Sequence, residues 1–369
     1  FAREVRLPVA MRVIFESIEA RVSSLIPGTL LMATQPVTHI VGDVAPWGLN
    51  NITIRYNRAL NAWQVPAVYY NAASINNAHY EFIDMQHQDG IQRIHGNMSY
   101  LVHPFNNSGA SLMMRQMVLT GSPTVNISQS TVLWMFGQMP GFGFAVDVYL
   151  RANPVDIAFG IDHGVTLVSA ASDFMRTTFY HELGHAAHYR RKGQQFWRNL
   201  IDYEVQQTLQ NSGDPYGDGT APGADRCALA EMWGEHIGLT YVHRRYGINH
   251  FRGGQDNTER IEHSWFAHLE ERRDGGNILG FDYTWIPEGL LHDLMDNNVQ
   301  NNQPPAFVIP ENAAIGTADN VGGFTNLRFY QELDADNIHD FIDKLRNNQL
   351  PATGNSTLSY DNLIQAYGY

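Results

Sequence analysis

Two histidines and a glutamate fall within the run His181-Glu182-Leu183-Gly184-His185. On a helix, histidines four residues apart share one face, one turn apart. That spacing lets both imidazoles reach a single Zn²⁺ at ~2.0–2.1 Å. Glu182 points off that line and is free to act as a general base on a water that the metal activates. The chain has 16 His. Independent placement in a chain of this composition yields the pattern roughly 0.03 times, so its surroundings carry the weight of the argument.

Those surroundings supply more ligands. The run Ala228-Leu229-Ala230-Glu231-Met232-Trp233-Gly234-Glu235-His236 carries two glutamates four residues apart on a second expected helix. Glu231 stands 46 residues beyond His185, room for a crossover helix and a loop. Glu231 could complete a His₂Glu set and leave the fourth position to water. Glu235, one turn on, could then accept a hydrogen bond from a ligand histidine and fix its tautomer. Glu235 is also the competitor for the ligand role. The three-histidine pattern HExxHxxGxxH is absent, because position 188 is His and position 191 is Arg. His188 is expected at the rim rather than on the metal.

HELGH followed by ExxxE resembles the gluzincin branch of zinc-dependent metallopeptidases. The specific resemblance covers about sixty residues, Asp173 to Glu235. The C-terminal half, with Trp285-Ile286-Pro287-Glu288-Gly289 and Asp293-Leu294-Met295-Asp296, is similar to uncharacterised secreted or surface zincins of Bacteroidetes. Carried over residue by residue, the resemblance implies His181, His185 and Glu231 as zinc ligands. It implies Glu182 as general base and proton shuttle, and Glu235 as the hydrogen-bond partner of a ligand. Gluzincins also use a Tyr or His to stabilise the developing oxyanion. Tyr216 is the first candidate for that role, with Tyr203, His236 and His292 as rivals.

The elements that must position these groups follow from the patterning. Up to about Leu167 the chain has short β-favouring runs: Asn51–Tyr56, Ala67–Tyr70, Ser99–Val102, Ala145–Leu150 and Val165–Val168. Phe105–Ala110 and Thr120–Thr124 carry turn signals, and either could link domains. Val9–Ile26 has helical apolar spacing. From Ser172 the texture is helical, with a helix capped at Ser172 or Asp173 and ending near Gly193. Further helices are expected at Phe196–Leu209, Ala228–Tyr246 after an Asp225 cap, Thr258–Arg272, Pro287–Asn297, Asn337–Asn347 and Tyr360–Tyr367. The expected fold class is α+β. A β-rich N-terminal domain, 1–115, would precede a mostly helical zincin-type domain, 116–369. An edge strand within Val155–Val168 would bind extended substrate by strand addition.

Composition bounds the function. The chain has 369 residues, 44% of them hydrophobic, which excludes global disorder. One Cys excludes a disulfide scaffold and any CxxC site; Cys227 reads as a small buried hydrophobe. The net charge of −13 argues against nucleic acid or an anionic membrane as partner. The most apolar stretch, Thr131–Leu150, is broken by Gln138, Pro140, glycines and Asp147, so no membrane span is expected. The acidic loop Asp214–Asp225 reads as a solvated turn rather than a Ca²⁺ site. The chain starts at Phe1 with no basic, then apolar, leader; a truncated start and a cleaved signal or lipoprotein segment would each account for that, and both stay open.

The expectation is therefore a zinc metallopeptidase, a bacterial secreted or cell-surface hydrolase acting on a peptide or protein substrate. Two alternatives stay open: a surface binding protein that keeps a structural zinc, and a narrow hydrolase of glycopeptides or cell-wall peptides.

Overall fold

The computed structural model describes residues 9–24, 36–44, 53–56, 65–102, 108–119, 146–151, 172–211, 214–246, 277–278, 281–282, 285–295 and 320–369. The first segment is not helical. It forms strands β1 (Val9–Ile14) and β2 (Ala20–Ser24), and β1 pairs antiparallel with β3 (Thr38–Val44). The physical reason lies in the period. Arg12, Ile14, Glu16 and Ile18 are exposed while the residues between them are less so, an alternation of two. Apolar residues four apart satisfy both that period and a helical one, so the spacing alone misleads.

The opposite correction applies at Ala67–Tyr70. These residues lie inside α1 (Val65–Asp89), a 25-residue helix. Val68, Ala72, Ile75, Ala78, Phe82 and Met85 recur at helical spacing and are all buried. Pro66 sits in the first turn, where its missing N–H costs nothing.

Four strands make the sheet that matters for the site. Its order is β2, β4 (Met98–Val102), β6 (Val148–Arg151), β5 (Ser108–Ser111). The pairs β2–β4 and β4–β6 are parallel, while β5 runs antiparallel to β6 with Gly109 opposite Leu150. Ser108–Ala110, read above as part of a turn, is thus an edge strand. It lacks the β-branched residues that announce a strand, and its pairing to β6 overrides propensity. The short helix α2 (Met114–Leu119) follows it. Asp147 fastens this region: its carboxylate accepts the Ser99 and Gln116 backbone N–H groups, both at 2.9 Å.

The helical half follows expectation closely. Helix α3 (Ser172–Lys192) stops at Gly193, whose φ of +91° suits glycine, and α4 (Gln194–Gln210) starts at once. Helix α5 runs from Ala224 to Tyr246; Asp225 lies in its first turn rather than before it, where its charge favours the helix dipole. Of the expected helix Pro287–Asn297, residues 287–295 are described, and among them Leu290–Asp293 is helical, as α6. Then come α7 (Asn326–Glu332), α8 (Ile338–Lys344), capped by the Asn337 side chain on Asp340 N, and α9 (Thr357–Ala366). The runs Val155–Val168, which contains Val165–Val168, and Thr258–Arg272 lie outside the described residues, as does Thr120–Thr124.

The architecture is α+β. Helix α1 lies against β2 and α3, while α3 lies against β5, β6 and, most extensively, α5. One hydrophobic core runs from Phe15 through Phe179 and Trp233 to Tyr367. The boundary at residue 115 passes between β4 and β6, which are paired neighbours in one sheet. Among the described residues no helix is long and apolar enough to cross a membrane.

Candidate metal centre

The α3–α5 contact builds the site. His181, Glu182 and His185 ride on α3; Glu231 and Glu235 ride on α5. Three glycines let the helices approach. A Cβ at Gly184 would lie 3.4 Å from Gly234 Cα, and one at Gly238 would lie 3.1 Å from His181 Cβ. Trp233 closes the crossing by donating its indole N–H to the Gly184 carbonyl at 2.9 Å.

His181, His185 and Glu231 meet at one point. The two histidine Nε2 atoms are 2.9 Å apart; Glu231 lies 3.3 Å from His181 Nε2 through Oε2 and 3.3 Å from His185 Nε2 through Oε1. Metal–ligand distances of ~2.0–2.2 Å set the edge of a tetrahedron at about 3.3–3.6 Å. The His–His distance and the two His–Glu231 contacts are close to that length; the contacts use different oxygens of Glu231, so its carboxylate faces both rings and the three side chains converge. These donors are an imidazole pair and a carboxylate, the set that suits Zn²⁺. Among the described residues, the same three form one of two groups whose donor atoms could hold an ion.

Their electrostatics fit a cation. Burial opposes charge on His181, but its hydrogen bonds to Glu231 and Glu235 and the nearby Glu231 and Glu182 carboxylates override it and hold its imidazolium well above the usual range. Burial likewise opposes the Glu231 carboxylate, but the His185 charge and the hydrogen bonds to His181 and His185 hold its pKa low. Positive charge is thus drawn into the triangle; an ion placed there would displace the His181 proton. Glu235 Oε2 lies 3.3 Å from His181 Nδ1 and orients that ring from behind. The buried Nδ1 of His185 has no hydrogen-bond partner among the described residues.

Glu182 is buried under the edge strand. A Cβ at residue 109 would overlap Glu182 Oε1 and Cγ, so glycine is required where β5 crosses the carboxylate. Trp197 on α4 holds β5 in place by donating to the Ser111 carbonyl at 2.9 Å.

The four candidates for an oxyanion donor separate cleanly. Tyr216 is half-buried, and desolvation of its hydroxyl, followed by the Glu231 charge, pushes its pKa well up. It donates to Glu231 Oε2 at 2.7 Å. Tyr203 donates instead to the Tyr216 carbonyl at 2.6 Å. His236 faces the far side of α5, where its Nε2 lies 2.9 Å from Asn326 Oδ1. His292 neighbours His236 and His243. Only Tyr216 reaches the ligand set, and it grips a ligand. His188 is a core residue, fully buried against Phe196 and Trp197, rather than a rim residue. In the acidic loop, Asp214 and Asp218 accept the Tyr216 and Thr220 backbone N–H groups, as turn carboxylates do.

Spacing did not reveal Gly109, Gly234 or Gly238. The signal available for the last two was glycine inside a helix, which costs about 1 kcal/mol against Ala and asks for a packing reason. Gly109 gave none, since it sat in a run that reads as a turn. Comparison with family models, with curated proteins and with solved structures finds no match for this chain.

Proposed function

We propose that this protein is a zinc-dependent peptide hydrolase of the gluzincin type. The observation that carries the reading is the His181–His185–Glu231 triangle with Glu182 beside it under an edge strand. Bound Zn²⁺ would supply Lewis acidity and bring the pKa of water towards ~7. His181, His185 and Glu231 would hold the ion, and Glu235 and Tyr216 would hold two of those ligands in place. Glu182 would take a proton from water as it attacks the scissile carbonyl, then deliver it to the leaving amine.

The substrate strand belongs to β5 in this reading. It pairs with β6 on one side, and among the described residues no strand pairs with the other. An extended peptide added there would present its backbone beside Glu182.

The test is metal content, measured on protein purified without added metal, for wild type and Glu231→Ala together. The expected result is about one zinc per wild-type chain and clear loss in the variant. Glu182→Gln should keep the metal and lose hydrolysis of unfolded protein. The burial of Glu182 favours one second reading, a non-catalytic protein that holds a structural zinc. Zinc in wild type, with no hydrolysis and no difference in Glu182→Gln, would establish that reading instead.

A further inference from the structure

A second set of donors lies on the other side of Glu231. Cys227 precedes Glu231 by one turn of α5, so the two side chains share a helix face. Glu204 reaches the same point from α4. The Cys227 sulfur and one oxygen from each carboxylate all lie within 4.8 Å of one another. Cys227 is fully buried and free of any disulfide, and among the described residues its sulfur has no hydrogen-bond partner. Glu231 is buried too, and Glu204 is half-buried.

Cys227 is a buried core residue, as expected, yet its neighbours are not all apolar. A buried thiol that only fills space sits among apolar groups. This one faces two carboxylates, with Asp214 a third acidic neighbour. No basic side chain is among its electrostatic partners. A cation at this point would give the sulfur and both carboxylates a common counter-charge.

We propose that Glu204, Cys227 and Glu231 form a second divalent-cation position, with Glu231 as the carboxylate shared with the His181–His185 position. Thiolate with carboxylates selects a borderline-soft ion, Zn²⁺ or Cd²⁺, over Mg²⁺ or Ca²⁺. Zn–S near 2.3 Å and Zn–O near 2.1 Å put sulfur and oxygen about 3.6 Å apart across a tetrahedral edge. The donors therefore need to close by at most about 1.2 Å, a movement that half-buried Glu204 can supply by rotation of its side chain. On binding, the Cys227 thiol loses its proton to solvent. This position shares Glu231 with the proposed hydrolytic centre but does not depend on that centre being catalytic.

Cobalt distinguishes the two positions, because only one contains sulfur. Metal-free protein is titrated with Co²⁺ under argon and followed by absorption. We expect a near-ultraviolet thiolate-to-cobalt charge-transfer band, separate from the visible bands of the nitrogen–oxygen position. Cys227→Ser should remove the thiolate band and leave the visible bands. His181→Ala should do the reverse. Glu204→Gln should weaken the thiolate-linked equivalent about 10–100-fold and leave the other unchanged.

Saturating Co²⁺ without a thiolate band in wild-type protein overturns the proposal, and persistence of the visible bands then leaves the His181–His185–Glu231 reading standing. A thiolate band that vanishes in folded His181→Ala would place the sulfur on the first ion and also overturns it. A thiolate band without any band from the nitrogen–oxygen position would sustain this proposal while the hydrolytic reading falls. The wild-type spectrum decides even if a variant does not fold.

Discussion

Gly234→Ala would place a methyl group where the rings of the proposed metal centre already lie. The added Cβ would stand 2.7 Å from His185 Cε1 and 3.0 Å from both Cε1 and Nε2 of His181. Carbon–carbon contacts settle at ~3.5–4.0 Å, so the His185 ring must retreat by about 0.8 Å or more. Metal sites hold their ligand distances to within about 0.2 Å. The displacement is several times that tolerance, and it acts on two of three ligands at once. Zinc affinity should fall at least as far as it does on losing an outer hydrogen-bond partner, about 10–100-fold, or ~1.4–2.7 kcal/mol. The fold should suffer less. Alanine in a helix interior gains about 1 kcal/mol over glycine, and overpacking costs ~1–3 kcal/mol, which leaves a net loss of about 0–2 kcal/mol. The assay is competition with a chromophoric chelator, beside thermal melting of the metal-free proteins. Gly238→Ala is the control: its Cβ meets His181 Cβ and the Thr177 carbonyl at 3.1 Å, along the backbone rather than at the rings. It should cost stability with a smaller change in affinity. Wild-type zinc affinity in Gly234→Ala, or a larger affinity loss in Gly238→Ala, refutes the reasoning.

Three other outcomes are expected. Tyr216→Phe removes the 2.7 Å bond to Glu231 Oε2 and should weaken zinc about tenfold while the fully loaded protein keeps its turnover; the opposite pattern would put that hydroxyl on substrate. Glu235→Ala leaves His181 Nδ1 without its acceptor and should weaken zinc about 10–100-fold by the same chelator competition, with no change in melting of the metal-free protein beyond a few degrees. Stability should fall in mild acid. Burial holds His79 and His188 down to about 3 and His236 down to about 4, so they stay neutral in the fold while the unfolded chain takes up protons near 6.5. The loss therefore begins as pH drops below 6.5, at up to about 4 kcal/mol per pH unit for the three together, and levels off near 3–4. Urea unfolding at pH 7 and pH 5 measures it, and a flat profile would mean that these histidines are not held neutral.

The candidate site was legible because its chemistry is local. His181 and His185 share one helical turn, and Glu231 and Glu235 share another, so periodicity alone places each pair on a face. What joins the pairs was not legible. The α3–α5 approach depends on glycines whose purpose appears only once a neighbour is beside them, as Gly234 shows. The strand over Glu182 was invisible for a related reason: Ser108–Ser111 has turn-like composition and takes its strand form from β6. Helix α1 was misread where Ala67–Tyr70 looked β-favouring in a short window, although its buried positions from Val68 to Met85 keep helical spacing over nearly five turns. The segment Val9–Ile26 failed in the other direction, since spacings of four serve both periods. Cys227 was read by its type, and it is a core residue; that Glu204 approaches it from a different helix was not legible in the sequence.

Helix α1 carries a consequence for how the protein is made. Glu81 accepts from Arg176 Nε and from the Tyr180 hydroxyl at 2.8 Å, contacts 95 and 99 residues away in sequence. Asp89 accepts from Tyr241, 152 residues on, and from Asn326, 237 residues on. Such distant closures are entropically costly and come late in folding. As the chain leaves the ribosome, the histidine helix can form long before Asn326 has been synthesised to fasten α1 and α5. The donor triangle is complete only when α5 has docked, so under the proposed function metal capture would belong to the end of folding rather than its beginning. A nascent chain with His181 and His185 already exposed would hold an ion weakly, through two ligands, until Glu231 arrives. If the proposed centre holds an ion, its retention would report whether the whole chain has closed.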